Sequence, residues 1–146
     1  HAWADNSHLV LFILGEPQTL HYLRLPTKDD TLVAQNIGRS LHKIPGERAI
    51  SFIQKNTGND WEIKKLESEN MKISTITKTL PGREDITWTR DGKIISSDGK
   101  KIFFINPAKE NKWMEVSILS GSDLLKGVTR LAVNANGDKL AVVIAE

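Results

Sequence analysis

Trp88-Thr-Arg-Asp-Gly-Lys-Ile-Ile95 is the stretch whose reading decides the fold of this chain. An aromatic residue leads into an Asp-Gly pair, and a β-branched run follows. Asp-Gly is a strong hairpin signal because both residues tolerate positive φ, and Ile-Ile favours an extended backbone. The stretch therefore predicts the end of a strand, a tight turn and a returning strand. Weaker copies stand at Trp3-Ala-Asp-Asn-Ser-His-Leu-Val10, Lys43-Ile-Pro-Gly-Glu-Arg-Ala-Ile50 and Asn134-Ala-Asn-Gly-Asp-Lys-Leu-Ala141.

The copies recur with a period. Ser7, Gly46, Gly92 and Gly137 occupy equivalent points, separated by 39, 46 and 45 residues. The expected strands match in role as well. Leu9–Ile13, Ala49–Ile53, Ile94–Ser97 and Leu140–Ile144 follow the turns. Leu20–Leu25, Trp61–Leu66 and Ile102–Ile105 come third, and Leu32–Ile37, Ile73–Thr77 and Trp113–Ile118 come fourth. A repeat of about 40–45 residues with four strands is the spacing of propeller blades. The polar Thr27–Asp30 segment is expected to turn, and Asn56-Thr-Gly-Asn-Asp60 to close a hairpin. No helical period is sustained. Only Ser120–Gly127 departs from strand patterning, where Ser122 is expected to cap one helical turn.

These units define an all-β chain with a partial β-propeller, three four-stranded antiparallel blades plus a C-terminal half blade. The expected division is a single domain over residues 1–146, with blades near 1–38, 39–84 and 85–128 and the half blade over 129–146. A lone blade is apolar on both faces, and radial packing is what covers them. Trp3, Trp61, Trp88 and Phe104 are expected to fill the spaces between blades.

Composition narrows the function. Hydrophobic residues are 39% and charged residues 26% of 146, a globular balance. A net charge of +2 with scattered basic residues argues against nucleic acid. No apolar run approaches the roughly 20 residues of a membrane helix, so no membrane insertion is expected. The absence of cysteine excludes disulfides, thiolate metal sites and cysteine nucleophiles.

No catalytic, cofactor-binding or metal site is expected. His1, His8, His21 and His42 lack the spacing of a zinc site and read as satisfied or solvated side chains. Ser120-Gly-Ser-Asp123 is not the G-x-S-x-G nucleophile elbow. Asp85, Asp91, Asp98 and Asp138 lie in or near turns and read as acceptors of local backbone N–H groups.

The repeat resembles that of TolB-like, WD-like β-propellers, whose signature runs Trp-Ser-Pro-Asp-Gly-Lys-aliphatic. Trp88–Ile95 carries it most fully, although Arg90 stands where the family has Pro. Asn134–Ala141 and Trp3–Val10 are looser, and Lys43–Ile50 keeps only the Gly and the apolar positions. The resemblance implies the C-terminal part of a larger propeller, with Thr129–Ala145 as the share of a closing blade. It further implies a periplasmic or cell-envelope setting and a protein or peptide partner. The expected role is a non-enzymatic interaction module that binds a protein, peptide or glycan through one loop face. The alternative is an accessory, non-catalytic propeller portion of a larger enzyme such as a peptidase. Uncovered edge strands also invite a homodimer through open blade edges.

Overall fold

The computed structural model describes residues 1–116 and 127–145. Among the described residues fourteen strands follow one another. They are β1 (Ala2–Trp3), β2 (His8–Ile13), β3 (Thr19–Arg24), β4 (Asp29–Gln35), β5 (His42–Lys43), β6 (Ala49–Gln54), β7 (Glu62–Glu67), β8 (Ile73–Lys78), β9 (Ile86–Trp88), β10 (Ile94–Ser97), β11 (Ile102–Ile105), β12 (Met114–Glu115), β13 (Val128–Val133) and β14 (Leu140–Ile144). They form three four-stranded antiparallel sheets, each in chain order, and a two-stranded sheet of β13 and β14.

Each gap between successive sheets holds its own apolar core. Val10, Leu20 and Tyr22 of the first sheet meet Ile50, Phe52 and Leu66 of the second. Ile53 and Ile63 of the second meet Ile86, Ile94 and Ile105 of the third. Ile102 of the third meets Val128 and Leu131 of the last. The period-2 geometry of a strand explains how one sheet serves two cores. In β6, Ile50 and Phe52 face the first sheet while Ser51 and Ile53 face the third, so its residues 49–53 are all buried. Burial of each such large side chain contributes about 1.5–3 kcal/mol.

The four turns that define the repeat close alike. Backbone N–H groups of Ala4, Ile44, Thr89 and Asn134 donate to the carbonyls of His8, Ala49, Lys93 and Lys139. Gly92 takes φ +81°, which a Cβ would strain. The first turn has no glycine, and Asp5 does the work instead: its Oδ1 accepts the Ser7 N–H at 2.8 Å.

Several expectations need correction. Trp3 is 49% exposed and fills no space between blades. Ala2 packs toward the second sheet, so Trp3 points the opposite way, where no described sheet covers it. Trp113 takes an interblade place instead, packing on the core between the second and third sheets and donating its indole N–H to the Lys78 carbonyl at 3.0 Å. The fourth strand of the first sheet begins at Asp29, because Lys28 (φ 59°) completes the turn two residues earlier than expected. It ends at Gln35, and Asn36 (φ 56°) turns the chain so that Ile37 is buried and bridges to Gln54. The fourth strand of the third sheet is confined to Met114–Glu115 among the described residues. The expected helical turn at Ser122 and the Ser120–Asp123 motif lie outside the described residues. Among the described residues no helix is long and apolar enough to cross a membrane.

Candidate binding surface

The first strands of neighbouring sheets, β1 with β5 and β9 with β13, lie against one another, so the sheets radiate from a shared inner side. Small hydroxyls fasten them there. Ser40 Oγ accepts the Ile86 N–H at 3.2 Å, and Thr87 Oγ1 accepts the Val133 N–H at 3.4 Å. Both links join residues 46 apart, one repeat.

One end of the sheets carries the turns between second and third strands together with the interblade loops. Hydrogen bonds tie the two sets together. Gly38 N–H donates to Ile53 O (2.9 Å), Lys55 N–H to Asn36 O (2.8 Å), Gly82 N–H to Asn59 O (3.1 Å) and Val128 N–H to Gly99 O (3.0 Å). The Arg83 guanidinium also donates to the Asp98 carbonyl. The described loops at this end are thus held by the sheets they connect.

Two adjoining clefts of about 220 and 250 Å³ open at this end, and both are lined by Arg39 and Asp85. Glu84 is engaged, with Lys55 Nζ 2.7 Å from one oxygen and Arg39 Nε 3.2 Å from the other. Asp85 is different. Arg130 Nη1 stands 3.8 Å from its Oδ1, and its Oδ2 is buried without a hydrogen-bond partner. Burial pushes its carboxyl above the ordinary carboxylate value. Arg130, the Leu131 amide and Arg39 pull it down, and Glu84 pushes it up. His42, on the adjoining wall, is held below its ordinary value by burial, partly countered by a backbone hydrogen bond at Ile86. Arg39 and Arg130 are about half exposed, so their donors reach both the clefts and solvent.

The opposite end carries the turns between first and second and between third and fourth strands. A groove of about 440 Å³ opens there between the first and second sheets, and another of about 610 Å³ between the second and third. In the first groove His8 stacks on Tyr22, ring centroids 5.1 Å apart, and the Tyr22 hydroxyl donates to the Ser68 carbonyl at 2.9 Å. Both Asp5 oxygens lie 2.8 Å from His8 Nδ1. Ser7 Oγ reaches the same nitrogen at 3.2 Å and Asp5 Oδ1 at 3.1 Å. A relay from serine through imidazole to carboxylate needs the two ring nitrogens separately. Here serine and carboxylate share one, so the cluster is a braced turn rather than a hydrolytic triad.

The other residues singled out in the sequence are scattered. His21 Nδ1 meets Asp30 at 2.8 Å and its Nε2 meets Thr19 at 3.1 Å. Asp98 Oδ1 accepts the Lys100 and Lys101 N–H groups at 2.8 Å each. Asp91 binds the Thr89 hydroxyl and Lys93 within its own hairpin, and Asp138 binds Asn134. Of the four, Asp98 accepts local backbone N–H groups as expected, Asp91 and Asp138 bind side chains of their own hairpins instead, and Asp85 faces a cleft. Neither it nor Arg24, Arg48 and Glu69 in the first groove carries a sequence motif. Among the described residues no three His, Cys, Asp or Glu side chains converge on a metal-sized site.

Three fastened antiparallel sheets around an inner side, with a fourth begun, define β-propeller blades. Solved structures agree. The chain is similar to TolB from Acinetobacter baumannii, with a TM-score of 0.63 and 16% identity over 97% of this chain. It is also similar to a chain of a nidogen/laminin complex, with a TM-score of 0.59 and 9% identity over 86% of this chain. The chain spans 36% of the length of that TolB chain and 47% of the length of the other. At these identities the likeness establishes the fold, a TolB-like β-propeller. The sequence matches no family model and no curated protein.

Proposed function

We propose that this chain is a non-enzymatic interaction module in which the blades 1–38, 39–84 and 85–128 and the half blade 129–146 act as one unit. Its partner is a protein or peptide segment, held at the end of the sheets where Arg39, Asp85 and Arg130 converge. The observation that carries this reading is the Asp85 carboxylate, whose Oδ2 is buried without a hydrogen bond in clefts also lined by the half-exposed Arg39 and Arg130. A buried acceptor of this kind costs free energy until a donor reaches it. A peptide N–H supplies that donor, and the neighbouring carbonyls or an acidic side chain engage the guanidiniums. The described loops around the clefts are held by their own sheets, so little ordering entropy is lost in them when a partner binds.

Site-specific photocrosslinking in the full-length protein tests the reading. Crosslinkers replacing Arg83 or Thr129 sample this end, and crosslinkers replacing Glu69 or Lys109 sample the other. Protein adducts are expected from the first pair and not the second. An Arg39→Ala/Arg130→Ala double substitution should reduce them several-fold. Adducts confined to the opposite end, or unchanged by the double substitution, would overturn it.

A further inference from the structure

The groove between the first and second sheets has features that blade packing does not require. His8, Arg24 and Asp29 are cross-strand neighbours in register on β2, β3 and β4. Tyr22 and Thr31 form the next row on the same face. That face looks toward the second sheet, which supplies Arg48, Ser68, Glu69 and Met71 across the gap. The dry core of Val10, Leu20 and Phe52 thus opens outward through a Tyr22–His8 floor into a polar mouth.

The charges in that mouth are arranged unusually. Two guanidiniums, Arg24 and Arg48, and three carboxylates, Asp5, Asp29 and Glu69, line one groove. Yet among the described residues neither arginine forms an ion pair, while arginines elsewhere reach Glu84 and Asp85. Asp5 is committed to His8 and to the Ser7 N–H and hydroxyl. Asp29 accepts the Thr27 hydroxyl at 2.6 Å. Glu69 makes no ion pair among the described residues. Burial pushes the Tyr22 phenol up and Asp5 adds to this, while Arg24 and Arg48 pull it down. Arg24 and Arg48 line the same groove as Tyr22. Arg24 stands beside Asp29 in cross-strand register, and Arg48 and Glu69 come from turns of the second sheet, so charges of both signs without an ion pair among the described residues face the groove.

We propose that this groove binds a small dipolar ion, one that carries an oxyanion and an ammonium group. Arg24 and Arg48 take the oxyanion over the Tyr22–His8 floor, each guanidinium offering a planar fork that matches carboxylate or phosphate. Glu69 and Asp29 take the ammonium. A simple anion is opposed by the carboxylates and a simple cation by the arginines, so the paired charges are what the groove selects. Its volume, about 440 Å³, lies in the range of small-molecule sites.

Amide chemical-shift titration of the purified chain tests this with five defined probes. Glycylglycine and phosphoethanolamine carry both charges and separate a carboxylate source from a phosphate source. Acetate, inorganic phosphate and ethanolamine carry charge of one sign only. At least one dipolar probe should half-saturate shifts at Tyr22, Thr31 and Ser68 at about ten-fold lower concentration than either of its single-charge counterparts. Arg48→Gln should raise that concentration about ten-fold, and Glu69→Gln should abolish the preference for the dipolar probe over the anion. Both side chains are at the mouth, so an unchanged thermal midpoint will show that the fold is kept. If inorganic phosphate binds as tightly as phosphoethanolamine and acetate as tightly as glycylglycine, or if Arg48→Gln changes nothing in a folded protein, the proposal fails. Silence of all five probes at these amides also refutes it. None of these outcomes bears on the Arg39–Asp85–Arg130 end.

Discussion

The indole of Trp88 and the hydroxyl of Ser51 form the bond on which the second and third blades are aligned, and a double-mutant cycle isolates it. Trp88 Nε1–H donates to Ser51 Oγ at 2.8 Å, and Ser51 Oγ–H donates onward to the His42 carbonyl at 3.2 Å. Ser51 is fully buried, whereas the indole is part-buried at the blade boundary. Ser51→Ala removes the acceptor and leaves the indole N–H and one carbonyl short of partners, a loss of about 1–2 kcal/mol. Trp88→Phe removes the same bond along with part of the indole's packing on Ile53 and Ile94, a loss of about 2–3 kcal/mol. The double variant loses the shared bond only once, so its destabilisation should fall short of the sum by about 1 kcal/mol. Urea unfolding of the four proteins gives the four free energies, and the slopes should agree, since similar surface is exposed in each. Additivity within about 0.3 kcal/mol would refute the reasoning. It would mean that Trp88 holds the blades by bulk alone.

Two glycines should respond to alanine for different reasons. At Gly92 a Cβ meets nothing within 4 Å, so Gly92→Ala costs only the positive-φ strain, about 1 kcal/mol. At Gly38 a Cβ would stand 2.9 Å from Ile53 Cβ and 3.1 Å from Glu84 Cβ, forcing two blades apart at a cost of about 2–3 kcal/mol. Denaturation midpoints that rank them the other way would contradict this. Tyr22→Phe should lose about 1–2 kcal/mol, because the Ser68 carbonyl loses its tie to the first blade; an unchanged unfolding free energy would deny that the bond contributes. The Ser7 N–H, with His8 and the Ser7 hydroxyl, lowers the Asp5 carboxyl from 3.8 to about 2 against the opposing effect of burial. The folded value lies below the unfolded one, so the contribution is complete above pH 3.8 and is lost as pH falls through about 2. Solvent screening of this part-exposed group keeps it below about 1 kcal/mol. Acid titration of stability should therefore be flatter for Asp5→Asn across that window, and parallel curves would exclude the effect.

Much of this fold is legible in short stretches. The Asp91-Gly92 turn, the Ala-Ile-Ser-Phe-Ile run of residues 49–53 and the alternation of residues 73–78 each point to one local structure, because turn chemistry and apolar patterning act over a few residues. The exceptions depend on partners distant in sequence. Trp3 resembles Trp88 locally, but the face it points from is uncovered among the described residues. Trp113 sits in a polar stretch with no blade signature, and what places it is the Lys78 carbonyl of the preceding blade. Asp85 reads like Asp98, a carboxylate beside a glycine-rich turn. Only the packing of β13 against β9 brings Arg130 to it. Arg24, Arg48 and Glu69 belong to separate strands and turns of two blades, so their convergence follows from blade stacking and leaves no motif.

The links between blades bear on how either surface can work. Ser40 with Ile86, Thr87 with Val133 and Tyr22 with Ser68 each join residues one repeat apart, so neighbouring sheets are registered by hydrogen bonds as well as by apolar contact. Apolar contact alone is nondirectional and tolerates sliding, whereas a bond of about 3 Å to a backbone group does not. The inner links fix the Arg39–Asp85–Arg130 clefts, and the Tyr22 link fixes the floor of the groove on the other end. Both lie between blades, yet a ligand in either meets walls already held in place. Loosening the Tyr22 link should therefore weaken binding in the groove without new contacts being lost, while the clefts at the opposite end, braced by Ser40 and Thr87, keep their shape.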